Sequence, residues 1–126
     1  VEGIKRRLGE LRERKVAVLG LAFKSDTDDE RDSLSHKLIR LLERELADVE
    51  VHDPIVSTPT ASFDDAVSGA DVVVVATNHS AYSTPEALAA IARGAASDCL
   101  VVDPWNAFGA AQVFAYASEV AALSRR

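Results

Sequence analysis

Val72, Val73, Val74 and Val75 run without interruption into Ala76, and this stretch constrains the chain more than any other. A β-branched run with no polar position has no face to give to water, so it reads as a strand covered on both sides. It is far shorter than the roughly 18 apolar residues that a membrane span needs. A strand buried on both faces requires other elements above and below it, and the rest of the chain must supply them.

The flanking sequence does so by alternation. Residues 1–14 predict a helix, with Ile4, Leu8 and Leu11 at helical spacing among charged neighbours, and read as the end of a longer element. Residues 15–20 are a compact apolar run closed by Gly20, the pattern of a buried parallel strand. After a polar loop over 24–32, Ser33 is placed to cap a helix running to Leu46, with Leu34, Leu38, Leu41 and Leu42 on one face. Residues 49–52 predict a second strand, stopped by Asp53-Pro54. Ser62 and Asp65 have capping-box-like spacing for a short helix that Gly69 ends. Beyond the valines, Thr84-Pro85-Glu86 opens a helix that Gly94 stops. Residues 100–102 predict a fourth strand, stopped again by Asp103-Pro104, and 113–117 a fifth, with a frayed tail to Arg126. Both Asp-Pro pairs read as punctuation. Strands alternating with helices predict an α/β fold, a Rossmann-like open parallel sheet of about five strands with helices on both faces.

Composition narrows the function. The chain has 126 residues, enough for one domain, and a formal net charge of −6, which argues against a nucleic-acid backbone as the main partner. A single cysteine, Cys99, excludes an internal disulfide or a cysteine-based metal cluster and reads as a small core residue. With no leader pattern and no apolar span, the expectation is a cytoplasmic protein without a membrane partner. The chain opens at Val1 and holds no Met, as a piece of a longer polypeptide would.

In open parallel sheets ligands gather at the C-terminal strand edges. The richest edge is Gly20-Leu21-Ala22-Phe23-Lys24, followed by Thr27-Asp28-Asp29, Arg31 and Ser33. A dinucleotide turn would need further glycines where Leu21, Ala22 and Phe23 stand, so this turn is wrong for NAD. Lys24 and Arg31 can both pair with phosphate oxygens, and Phe23 offers a face to a base or sugar. Equally, Arg31 can pair with Asp28 or Asp29 to tie the loop down, leaving Lys24 solvated. The acids Asp26, Asp28, Asp29, Glu30 and Asp32 do not make a calcium loop, because Arg31 and Lys37 occupy the places that need Gly and Glu. His79, just past the third strand, either carries a proton or caps a loop. His36 and His52 have no evident partner. Trp105 stands at the fourth strand edge, where it can stack on a ligand, meet a neighbouring subunit or pack in the core.

Taken together, residues 16–24, the Thr27-Asp28-Asp29, Arg31 and Ser33 string, Val51-His52-Asp53-Pro54, Asp71 to Thr77 with His79, and Val101-Val102-Asp103 resemble the C-terminal domain of the UDP-glucose/GDP-mannose dehydrogenase family. The similarity covers about residues 12 to 108. The resemblance implies a nucleotide-sugar-binding domain over 15–126, preceded by the end of an inter-domain linking helix over 1–14. It implies an enzyme that oxidises the sugar C6 alcohol to a carboxylate with two NAD in succession. NAD would be bound mainly by an N-terminal domain, which would also carry the catalytic cysteine. Its partners would be a UDP-sugar or related nucleotide sugar and that N-terminal domain, in a homo-oligomer when full length. Phe23 and Lys24 would contact substrate, and Arg31 would reach across the cleft towards NAD. No catalytic residue and no metal ligand would lie in this chain. Trp105 stands where many members carry a substrate-binding arginine, which points to a different sugar or nucleotide contact there. Two other readings stay open: a free-standing nucleotide-binding or regulatory module, and a structural domain that holds an oligomer.

Overall fold

The computed structural model describes residues 1–31, 33–96, 98–109 and 112–123. Asp32 of the acidic cluster and the last three residues of the expected tail lie outside the described residues. The valine run forms strand β3 (Val72–Val75), in a sheet with β1 (Lys15–Leu19), β2 (Asp48–His52), β4 (Leu100–Val102) and β5 (Phe114–Tyr116). The order across the sheet is β2-β1-β3-β4-β5. β1 runs parallel to both β2 and β3, with Val16 opposite Val49 on one side and Val72 on the other, and β4 runs parallel to β3.

Both faces are covered, for the reason the valines require. Ala17, Leu19, Val73, Val75, Val101 and Ala115 point to one side, against Val67, Ile91 and Val120 of α3 (Phe63–Val67), α4 (Pro85–Gly94) and α5 (Ala117–Leu123). Val16, Val18, Val72, Val74 and Leu100 point to the other. There they meet Leu11, Ile4 of α1 (Glu2–Leu8) and Leu42 of α2 (Leu34–Arg44). Each fully buried valine or leucine contributes about 1.5–3 kcal/mol by leaving water, so the sheet's two faces are its main source of stability. Expected caps form: Ser62 accepts from the Asp65 N–H and Thr84 from the Ala87 N–H.

Four expectations are corrected. The fifth strand pairs antiparallel with β4, because the short connection over 103–113 cannot return the chain for a parallel pairing. The first helix stops at Leu8 rather than 14: Gly9 takes a left-handed turn (φ 79°), and Leu11 then drops into the core. That helix is fastened to β5 by Arg7, over the Phe114 ring at 3.7 Å, and to the end of α2 by Lys5, paired to Glu45 at 3.0 Å. On α2 only Leu42 is fully buried, while Leu34 (80% exposed) and Leu41 lie outward. The C-terminal stretch, expected to fray, is helical as far as Leu123.

Candidate functional site

The site is built at the C-terminal ends of β1, β2 and β3. Gly20 makes the first turn possible. Its φ is 107°, and a Cβ there would stand 2.4 Å from the Thr77 Cβ, so only glycine lets the β1 and β3 ends approach. The chain then enters a loop, residues 21–31, whose backbone is held from below by side chains of other strands.

Asp53, at the end of β2, is the main anchor. Its Oδ2 accepts from the Leu21 N–H (2.7 Å), the Ala22 N–H (3.2 Å) and His79 Nε2 (2.8 Å). Its Oδ1 accepts from the Ile55 and Val56 N–H groups at 2.8 and 3.0 Å. Burial alone would push this carboxyl up, but the backbone donors from Leu21, Ile55 and Val56 and the His79 ring outweigh it and hold it below its ordinary value.

His79 is fully buried and bonded at both nitrogens. Nδ1 accepts the Asp26 N–H at 2.8 Å, so the ring proton sits on Nε2 and points at Asp53. Asp26 is itself in the left-handed region (φ 57°), which short acidic side chains tolerate. Its carboxylate accepts from the Ser80 N–H (2.9 Å) and hydroxyl (2.5 Å), and those bonds lower its pKa. Thr77 donates its hydroxyl to the Ala22 carbonyl at 2.8 Å. Ser33 donates to the same carbonyl at 3.4 Å and accepts from the Ser35 N–H to cap α2. Further along, the Phe23 N–H donates to the Asp29 carbonyl, and Thr58 donates to the Glu30 carboxylate.

The candidate ligand contacts are placed by this frame. Phe23 is 57% exposed, and the Lys24 ammonium has no hydrogen bond or ion pair among the described residues. Arg31 is engaged instead. Its Nε and Nη2 donate to Asp29 Oδ1 and Oδ2 at 3.0 and 2.9 Å, a bidentate pair that draws the Asp29 carboxyl down to about 2. Of the two roles open to Arg31, tying down the loop is the one this conformation adopts. Trp105, 54% exposed, sits with Pro104 beside Leu34 and Leu38 in an apolar groove of about 220 Å³ at the ends of β3 and β4.

The other titratable groups are structural. Burial pushes the Cys99 thiol up to about 12, away from the thiolate form. His52 does have a partner: the Tyr82 hydroxyl donates to the His52 carbonyl and lies 3.0 Å from its Nδ1. Among the described residues no cluster of three His, Cys, Asp or Glu is placed to hold a metal ion. Among the described residues no helix is long and apolar enough to cross a membrane. The hub itself, Asp53 with His79, was not visible in the sequence. The only signal was a polar residue just past each of two strands, β2 and β3, which β1 separates.

Residues 17–110 match the model of the UDP-glucose/GDP-mannose dehydrogenase family, UDP binding domain. The chain belongs to this family. A UDP-N-acetyl-D-mannosamine dehydrogenase from Pyrococcus horikoshii is 38% identical over 69 residues, 55% of this chain and 16% of the relative. A solved UDP-D-ManNAc dehydrogenase from the same organism superimposes with a TM-score of 0.71 and 29% identity, over 84% of this chain and 25% of that one. A solved NDP-N-acetyl-D-galactosaminuronic acid dehydrogenase from Methanosarcina mazei Go1 gives a TM-score of 0.71 and 32% identity, over 84% and 24%. The chain thus spans about a sixth of the curated relative's length. The matched range includes the Gly20 turn, the anchored loop, and Asp53 and His79.

Proposed function

We propose that this chain is the nucleotide-sugar-binding wall of an NAD-dependent nucleotide-sugar 6-dehydrogenase, which oxidises the sugar C6 alcohol to a uronate, and that it is inactive alone. The observation that carries this reading is the loop over 21–31. It projects Phe23 and Lys24 into solvent from a rigid base, in a chain whose residues 17–110 match the family's UDP-binding domain. The relatives named above act on nucleotide derivatives of N-acetylated amino sugars, which favours a UDP-linked N-acetylhexosamine as the substrate class.

Lys24 supplies an ammonium that makes no hydrogen bond among the described residues and can turn to the diphosphate, and Phe23 an apolar face for the base or sugar. When bound, NAD accepts the hydrides that leave C6. Nothing in the Gly20 turn fits its pyrophosphate, because side chains at Leu21, Ala22 and Phe23 stand where a dinucleotide turn keeps glycine. The cofactor is therefore held mainly by the N-terminal domain of the parent chain. Arg31 contributes from this side once it lets go of Asp29. Residues 1–14 end the linking region, and the full-length protein is a homo-oligomer in the cytoplasm. Trp105 shapes the sugar end of the cleft in place of an arginine.

Calorimetry with UDP, GDP and their sugars tests this on the chain as it stands. Weak binding of UDP-type ligands is expected, since half the cleft is absent. Lys24→Ala should weaken it roughly tenfold, the loss of one charge-assisted contact to phosphate. If Lys24→Ala binds as well as the parent, Lys24 is not a phosphate ligand.

A further inference from the structure

Phe23, Lys24 and Ser25 form a projection, exposed at Phe23 and Lys24, and both of its ends are clamped by one buried pair. At the near end, Asp53 Oδ2 takes the Leu21 and Ala22 N–H groups while Thr77 takes the Ala22 carbonyl. At the far end, His79 Nδ1 takes the Asp26 N–H, and Ser80 takes the Asp26 carboxylate. The two ends are joined by one side-chain hydrogen bond, His79 Nε2 to Asp53 Oδ2 at 2.8 Å, between two side chains that are completely buried, and by the chain from Thr77 to Ser80, which holds one end with each of those residues. The Asp26 N–H fixes which nitrogen carries the proton. A ring protonated at Nδ1 would turn a donor towards a donor and open the far clamp.

We propose that His79 is a positioning residue for nucleotide-sugar binding: as the Nε2–H tautomer bridging Asp53 and the Asp26 amide, it sets the separation of Ala22 and Asp26 and so the presentation of Phe23 and Lys24. The proposal rests on the reading of those two residues as ligand contacts. A hydrogen bond between two buried polar side chains is costly to leave unmade, so removing the ring leaves both Asp53 and the Asp26 amide short of a partner. The effect reaches the ligand only through the shape of the projection, since His79 itself has no exposed surface.

The test compares the parent, His79→Ala and His79→Gln, all followed by circular dichroism, amide exchange and titration with UDP. Gln retains one acceptor and one donor. In the parent, ¹⁵N spectra of the His79 ring should show a protonated Nε2 and a lone pair on Nδ1. His79→Ala should keep the fold, lose protection at the Asp26 amide and bind UDP roughly tenfold more weakly, with His79→Gln recovering part of both. Equal UDP binding by parent and His79→Ala would overturn the positioning role and leave the binding site intact. Binding lost only in step with loss of fold, in both variants, would assign His79 to stability alone and overturn it as well. No response of the parent to UDP at any concentration would instead sink the ligand reading of Phe23 and Lys24, and this proposal with it.

Discussion

The strands β2 and β4 both end in Asp-Pro, and both aspartates are buried, yet they hold different things. Asp103 accepts from the Ala107 and Phe108 N–H groups, both in the loop that follows it. Asp53 also caps its own following turn, through Ile55 and Val56. Its second oxygen reaches across the sheet to Leu21 and Ala22 after β1 and to His79 after β3. The first is a local device: it closes one loop. The second joins three strand ends, and the loop that it joins carries Phe23 and Lys24. Position in the sheet decides the difference, because β2 lies beside β1, whereas β4 is followed by an antiparallel return.

The comparison breaks most sharply at Asp53 itself. Asp53→Ala orphans four backbone N–H groups and a buried imidazole, and removing one partner of such a set costs roughly 3–5 kcal/mol. A domain of this size holds about 5–15 kcal/mol in total, so the variant should lose roughly a third of its stability or more, read as a large fall in the urea midpoint. Asp103→Ala should cost about 2 kcal/mol and loosen the loop that carries Trp105, while the presentation of Phe23 and Lys24 stays as it is. Equal losses at the two positions would remove the distinction between a hub and a local cap.

Between these two in size lies Gly20→Ala. The substitution meets the Thr77 side chain and backbone at 2.4–2.7 Å and sits at φ 107°, a conformation that L side chains rarely adopt. The β1 and β3 ends must then move apart, at about 3 kcal/mol, and UDP binding should fall because the loop leaves its base. A variant as stable as the parent, by the same urea titration, would show that this junction has slack.

The fold was legible where the signal is local or periodic. The valine run, the Gly20 strand end and the Ser62 and Thr84 caps each predict an element from adjacent residues, and the structure forms each one. The Asp53–His79 pair was not legible, because its members are separated by 26 positions and meet only when β2, β1 and β3 lie in that order. Helix periodicity misled at α2 for a related reason. Leu34 and Leu41 lie on the expected stripe, but the face turned to the core runs through Ser35, Leu38, Ile39 and Leu42, rotated about the helix axis from that stripe. The antiparallel β5 was likewise invisible, since nothing in an isolated apolar triplet states its direction.

A smaller effect separates the hub's charge from its shape. The folded Asp53 carboxyl lies below its ordinary value of 3.8, so the folded state binds this proton less readily than the unfolded chain. Its contribution is fully present above the unfolded value and is lost as pH falls through the folded one. Stability followed from pH 6 down to about pH 2 should therefore decline on an acid limb to which Asp53 contributes. Asp53→Asn keeps the size and one acceptor oxygen, so it should start lower at pH 6 and decline less steeply. An acid limb of unchanged slope would mean that Asp53 gives shape without charge.

The smallest expected effect is on stability, and it is the most informative for function. Arg31 and Asp29 make a well-formed bidentate pair, but the guanidinium is 88% exposed, and exposed ion pairs contribute little in water. Asp29→Asn should leave the melt where it is. What changes is the freedom of Arg31, the residue we propose reaches NAD in the assembled enzyme. In the isolated chain the release is readable without the other domain, as faster motion of the Arg31 Nε–H in ¹⁵N relaxation and as stronger, more salt-sensitive binding of inorganic pyrophosphate. An Asp29→Asn variant that melted well below the parent would show the pair to be structural, as the Asp53 hub is. A variant that melted normally with Arg31 as rigid as before would show that something other than Asp29 holds it, and the arm towards the cofactor would have to be sought elsewhere on the loop.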